Sequence, residues 1–205
     1  MLFRSGWEIE FSILGCKVKL DFYFFAILTF MVFMDKTGFV MIGIISSLMH
    51  EFGHISAVKL KGYKVNGINL GCVSADIFLK YDNFEDKLEI LLSGSLTNFL
   101  ISIIFKILYF YFEYDVFRVI YFQNVCIGAL NLLPVADLDG GCIFLLLLSK
   151  KKDISSALKI LNMVSVIFLI PIFAIGIWIF AISEYNFSLL VLGVYLTICI
   201  FVKKL

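Results

Sequence analysis

The chain has 205 residues, 61% of them hydrophobic and 16% charged, with a formal net charge of +1 and a mean hydropathy of +1.01. Usage this apolar excludes an ordinary soluble globular domain, and a net charge near zero gives no electrostatic case for a nucleic-acid partner or an acidic substrate. Each crossing of a bilayer takes about 20 apolar residues, so several spans consume most of the length and leave little for a soluble domain.

In chain order, "MLFRSGWEIEFSILGCKVKLDF" carries acids and lysines and lacks the basic start, apolar core and cleavage site of a removable signal peptide. Its stretch 6–22 alternates polar and apolar residues, and 63–81, "YKVNGINLGCVSADIFLKY", is β-prone and interrupted by Asn66-Gly67 and Gly71. Both read as short strands or a hairpin beside the membrane. Two roles fit them equally: an edge that pairs with an extended peptide, or an ordinary connection.

Hydropathy and breakers predict six spans, at 20–34, 39–60, 88–112, 117–149, 158–181 and 186–202. The expected fold class is therefore an all-α polytopic membrane protein, about six transmembrane helices in one domain, with short membrane-associated strands. Short connections such as "DKTG", "EYDV" and "SEYN" predict antiparallel neighbours. Placing the N-terminus in the cytoplasm puts Arg4, Lys17, Lys19, Lys59, Lys61, Lys64, Lys80, Lys87, Lys150 to Lys152, Lys159, Lys203 and Lys204 on that side, against Lys36 and Arg118 outside. A multi-pass cell-membrane protein with both termini cytoplasmic follows. Lys106, inside the third span towards its outer end, has a stem long enough to snorkel. The five cysteines contain no CxxC pair and read as reduced packing residues.

The fourth segment is too long and too interrupted for one straight helix. "NVCIGALNLLPVADLDGGCIFLLLLSKKK" sets Pro134, Asp137, Asp139 and Gly140-Gly141 inside an apolar run. Proline removes a backbone donor and clashes with the preceding turn, so a helix should break near Asn131 to Pro134 and restart near Asp139. Irregular backbone at membrane depth survives only where protein or a water-filled cavity surrounds it, which marks a site.

The chain's only two histidines stand in "HEFGH", residues 50–54, within the second span. On a helix, positions four apart share a face, so His50 and His54 can offer two imidazole nitrogens to one ion. Glu51 sits about 100° round from His50. It lies beside that ion without having to bind it, the HExxH arrangement of zinc hydrolases, in which the glutamate is the general base. A chance match is the bland reading of so short a motif. Ionisable groups are costly inside a bilayer unless paired or functional, however, and that favours the metal.

A catalytic zinc site takes three protein ligands and keeps one position open. Among the remaining acids only Asp137 and Asp139 lie deep enough. His54 and His50 precede Lys59 by five and nine residues, about 8 and 14 Å of helix, and Asp139 precedes Lys150 by eleven, about 16 Å if helical. The residues alone favour Asp139 over Asp137 modestly, because Asp139 directly precedes the glycine pair and the restarted helix.

"HEFGH" together with "NLLPVADLDGG" resembles the site-two protease family of intramembrane zinc metalloproteases, whose second signature reads NxxPxxxxDG. Asn131, Pro134, Asp139 and Gly140 fall on its positions, so the resemblance selects Asp139 as the third ligand. "LLSGSLTNFLIS" resembles the family's GP-x-x-N segment at Gly94 and Asn98, with Ser95 in place of the proline. For Gly94 and Ser95 close helix packing is the favoured reading. Asn98 either serves the substrate or bridges two helices.

The six-span layout agrees with the stage IV sporulation protein FB branch of the family, which processes a membrane-associated sigma-factor precursor. The resemblance leaves no place for a CBS or PDZ domain in these 205 residues.

What it implies is peptide hydrolysis near the cytoplasmic face, with one catalytic zinc on His50, His54 and Asp139, Glu51 as base, and Asn131 and Asn98 on the substrate. The implied partners are a transmembrane or membrane-associated protein substrate, the bilayer and a membrane regulatory protein, with no nucleic acid. The rival is noncatalytic: a metal-binding membrane transporter or an inactive protease-like escort of membrane clients. The intact Glu51 speaks against the escort, since a pure binder has no use for a base.

Overall fold

The computed structural model describes residues 8–13, 16–21, 35, 38–63, 67–70, 75–77, 83–182, 189–190, 193–194 and 196–197. Most of the expected spans at 20–34 and 186–202 lies outside these residues. The chain divides into two compact units, Met1–Ala129 and Leu130–Leu205.

In the first unit the elements run β1 (Glu8–Ile13), β2 (Cys16–Asp21), α1 (Phe39–Leu60), β3 (Gly67–Leu70), β4 (Ala75–Ile77), α2 (Phe84–Phe112) and α3 (Asp115–Asn131), whose last two residues belong to the second unit. The strands form one sheet in the order β1-β2-β3-β4. β1 pairs antiparallel with β2 from Glu8↔Asp21 to Ile13↔Cys16, and β3 with β4 from Ile68↔Ile77 to Leu70↔Ala75. Between them β2 and β3 run parallel, Lys17↔Gly67 to Leu20↔Leu70, with α1 in the crossover. A parallel pair requires a long connection, and among the described residues this one contains helix α1.

Helix α1 has 22 residues and α2 has 29, about 33 and 44 Å at 1.5 Å per residue, enough for a hydrocarbon core about 30 Å thick. Their burial runs opposite to that of a water-soluble bundle. The residues turned inward on α1 are Ser46, His50, Gly53, His54 and Val58, and on α2 Ile90, Gly94, Ser95, Asn98 and Ser102. Ile45, Leu48, Phe52, Leu100, Ile103 and Phe110 face outward, Phe52 60% exposed and Phe110 79%. Small and polar residues inside with large apolar ones outside suit a lipid solvent, in which helices associate through close contact and hydrogen bonds.

Gly53 shows how close the contact is, because a Cβ there would fall 2.8 Å from the Ser93 carbonyl oxygen of α2. At one end of the pair Lys61 bridges Asp86 at 2.8 Å and Glu89 at 2.5 Å, while the Tyr63 hydroxyl donates to Asp86 at 2.8 Å. The two carboxylates hold the Lys61 ammonium above its ordinary lysine range. The pair is exposed to solvent and contributes little to stability.

Helix α2 begins four residues before the expected span, because Asn83 caps it by accepting from the Glu85 N–H at 3.3 Å and Glu85 and Asp86 occupy the first turn. It ends on Glu113, in the left-handed region at φ 55, and α3 follows within two residues.

The second unit holds α4 (Asp139–Leu148) and α5 (Ile154–Ile182). The segment expected as an interrupted span is two helices, α3 ending at Asn131 and α4 starting at Asp139. Three helices, α1, α2 and α5, are long and apolar enough to cross a membrane among the described residues. Helix α5 starts at an Asp153 cap that accepts from Ser155 Oγ at 2.5 Å and Ser156 N–H at 3.0 Å, which draws its carboxyl down to about 2. Val135, Leu138, Leu169, Ile172 and Leu196 form this unit's core.

Candidate metal centre

His50 and His54 lie one turn apart on the buried face of α1, 4% and 6% exposed, with ring planes 84° apart. Their Nδ1 atoms point to separate partners and their Nε2 atoms to each other. His54 Nδ1 is 2.7 Å from the Ile90 carbonyl oxygen, which can only accept, so that nitrogen carries the proton. His50 Nδ1 is 2.8 Å from Asn98 Oδ1. Both Asn98 amide hydrogens are engaged elsewhere, on the Ser46 carbonyl oxygen at 3.2 Å and Asn124 Oδ1 at 3.0 Å, so Oδ1 accepts and His50 too is the Nδ1–H tautomer.

On two neutral rings this leaves a lone pair on each Nε2, and the two face one another at 3.1 Å. No hydrogen bond joins two acceptors. A shared cation makes the arrangement favourable, and zinc bonds of 2.0–2.1 Å at the tetrahedral angle would set the nitrogens about 3.3 Å apart. The donor chemistry and the spacing fit a zinc ion.

Gly94 of α2 lies against both rings. A Cβ there would sit 2.7 Å from His50 Nε2 and against the edge of the His54 ring. The sequence favoured close helix packing at this glycine. Its missing side chain is also the space in which the two ring nitrogens meet. Gly94→Ala should therefore turn the rings and weaken zinc binding at least tenfold with helix content retained, measured by chelator competition beside circular dichroism; unchanged affinity would show that the rings have slack.

Glu51 is half-buried on α1 beside His50. Asn98, expected either to serve the substrate or to bridge two helices, is 0% exposed and spends its carbonyl oxygen and both amide hydrogens on His50, Ser46 and Asn124. Sequence reasoning missed Asn124 and Ser46, both buried and both in this network.

In the second unit Asn131 closes α3 and Asp139 opens α4, both half-buried. Between them the chain folds tightly against the start of α4. A Cβ on Gly140 would meet the backbone carbonyls of Leu132 and Leu133, and one on Gly141 that of Val135. The Ala136 N–H donates to Ser165 Oγ at 2.8 Å, which donates to the Leu161 carbonyl at 2.8 Å, pinning the loop to α5. Asp137 adopts φ 71, a conformation that aspartate tolerates better than most residues. Pro134 shapes this turn, and Asp139 enters α4 with its backbone direction set by the glycine pair.

Residues 113–172 match the model of Peptidase family M50. That stretch contains Asn131, Pro134 and Asp139 and ends before none of the loop just described. The chain is 28% identical over 153 residues to a zinc metalloprotease of Methanocaldococcus jannaschii, a match that takes in 72% of this chain and 42% of that protein's length. The solved structure of a site-2 protease from the same organism superposes with a TM-score of 0.68 at 22% identity, covering 93% of this chain and 92% of that one. That likeness shows a shared fold. The chain is thus similar to Peptidase family M50 over residues 113–172 and shares the fold of a site-2 protease, and three of its described helices are long and apolar enough to cross a membrane.

Proposed function

We propose that the protein is an intramembrane zinc metalloprotease that hydrolyses a peptide bond of a transmembrane or membrane-associated protein near the cytoplasmic face. The observation that carries this reading is the pair of buried imidazoles whose Nδ1 atoms are held by Asn98 and the Ile90 carbonyl and whose Nε2 atoms face each other at 3.1 Å.

The proposed metal ligands are His50, His54 and Asp139, and the likeness to a zinc metalloprotease supports zinc as the ion. Zinc bound there would supply Lewis acidity, making water more acidic and a carbonyl more electrophilic. Glu51 takes the proton of the attacking water and later returns it to the leaving amine. Asn131, at the end of α3, is a donor for the substrate backbone or the developing oxyanion.

A helical substrate hides its carbonyls in its own hydrogen bonds and must unwind before attack. The sheet edge is proposed to hold the unwound strand by backbone pairing. The lysine distribution supports cytoplasmic termini. A sigma-factor precursor in spore formation, and a membrane regulatory protein beside it, are candidates carried by the resemblance alone.

The test is co-expression with membrane-tethered precursors, followed by a search for a cleaved band that requires zinc and Glu51. A protein that transports zinc across vesicles and cuts nothing would overturn the reading in favour of the transporter.

A further inference from the structure

Imidazole ligates through whichever nitrogen lacks a proton, so the partner of the other nitrogen decides whether a histidine can serve. For His54 the partner is a backbone carbonyl, which cannot change its role. For His50 it is a side-chain amide, and an amide can turn over. Turned by 180°, Asn98 would offer Nδ2 to His50, push the proton to Nε2 and remove the lone pair. Something must hold it.

The network supplies the lock, beginning from groups that only accept. Asn124 Nδ2 donates to the Ile120 carbonyl at 2.9 Å and to Ser46 Oγ at 2.9 Å, which fixes its Oδ1 as the acceptor facing Asn98. Asn98 Nδ2 must then donate, to Asn124 Oδ1 at 3.0 Å and to the Ser46 carbonyl at 3.2 Å. Its Oδ1 is left for His50 Nδ1. Inverting Asn98 would set acceptor against acceptor at both contacts. Asn124 is 1% exposed, Asn98 0% and Ser46 3%, so water does not offer an easy alternative.

We propose that Asn124 is a positioning residue: acting through Asn98, it fixes the proton on His50 Nδ1 and so keeps Nε2 available to a divalent cation. The cation is that of the metalloprotease reading. The tautomer assignment can be tested without it.

The full chain in lipid nanodiscs, metal-free and labelled with ¹⁵N-histidine, should show His50 protonated at Nδ1. Asn124→Leu should bring in a population protonated at Nε2 and weaken zinc binding about tenfold in chelator competition, within the range found for groups that orient a ligand. Asn124→Ala removes the same acceptor should the leucine variant not fold. A carboxylate cannot turn a donor towards His50, so in an Asn98→Asp background Asn124→Leu should cost less than threefold.

An equal cost in both backgrounds would mean that Asn124 merely packs the helices, and the proposal fails. A wild-type His50 protonated at Nε2 also ends it. Failure of the wild type to bind zinc while His50 keeps its Nδ1 proton would overturn the metal reading and leave the lock supported.

Discussion

Glu51→Gln should bind zinc as tightly as the wild type and lose cleavage by about 10² to 10⁴-fold, the usual contribution of a positioned general base. Glutamine keeps the shape and the carbonyl oxygen of glutamate but cannot carry away a proton. Glu51 stands about 100° round α1 from His50. The His50 and His54 nitrogens that meet at 3.1 Å are oriented by Asn98 and the Ile90 carbonyl, so those contacts do not rely on Glu51. Loss of zinc with loss of cleavage would make Glu51 a ligand or a structural support. Cleavage within threefold of wild type would remove it from the chemistry. An escort or a transporter requires neither outcome, since binding a client or passing an ion consumes no base.

What the sequence revealed and what it withheld follow from how local each signal is. The break between Asn131 and Asp139 was legible because Pro134 and Gly140-Gly141 act on their own backbone. The starts of α2 and α5, at Phe84 and Ile154, each lie four residues before the apolar runs at 88 and 158. Hydropathy reports lipid depth, whereas the helices begin at polar caps, Asn83 and Asp153, outside the apolar run.

The histidine pair was legible for the same reason, being set by spacing on one helix. Asn124 was not. Its role comes from Ser46 on α1 and Asn98 on α2, far away in the chain. The available signal was a lone amide in the apolar run "YFQNVCIGAL", where a buried polar group demands partners. Gly94 likewise shows its contact with the two rings only once α2 is laid against α1.

The third ligand is the sharpest remaining discrimination, and two aspartates two residues apart supply it. On the proposed ligand set, Asp139→Asn should weaken zinc binding at least a hundredfold and abolish cleavage, because an amide of the same shape would withdraw that set's only anionic donor from a dication otherwise held by two neutral imidazoles. Asp137→Asn should change zinc affinity by less than threefold, and asparagine tolerates φ 71 at least as well as aspartate. The contrast has a basis in the chain itself. Asp139 is the first residue of α4, anchored by Gly140 and Gly141 pressed on the carbonyls of Leu132, Leu133 and Val135, whereas Asp137 sits in the left-handed bend before it. Both variants keep the glycines and the loop's bond to Ser165, so neither should fail by misfolding. Zinc content and chelator competition on the two proteins decide the matter: reversed losses would move the ligand from Asp139 to Asp137, and equal losses would reject Asp139 as the single third ligand.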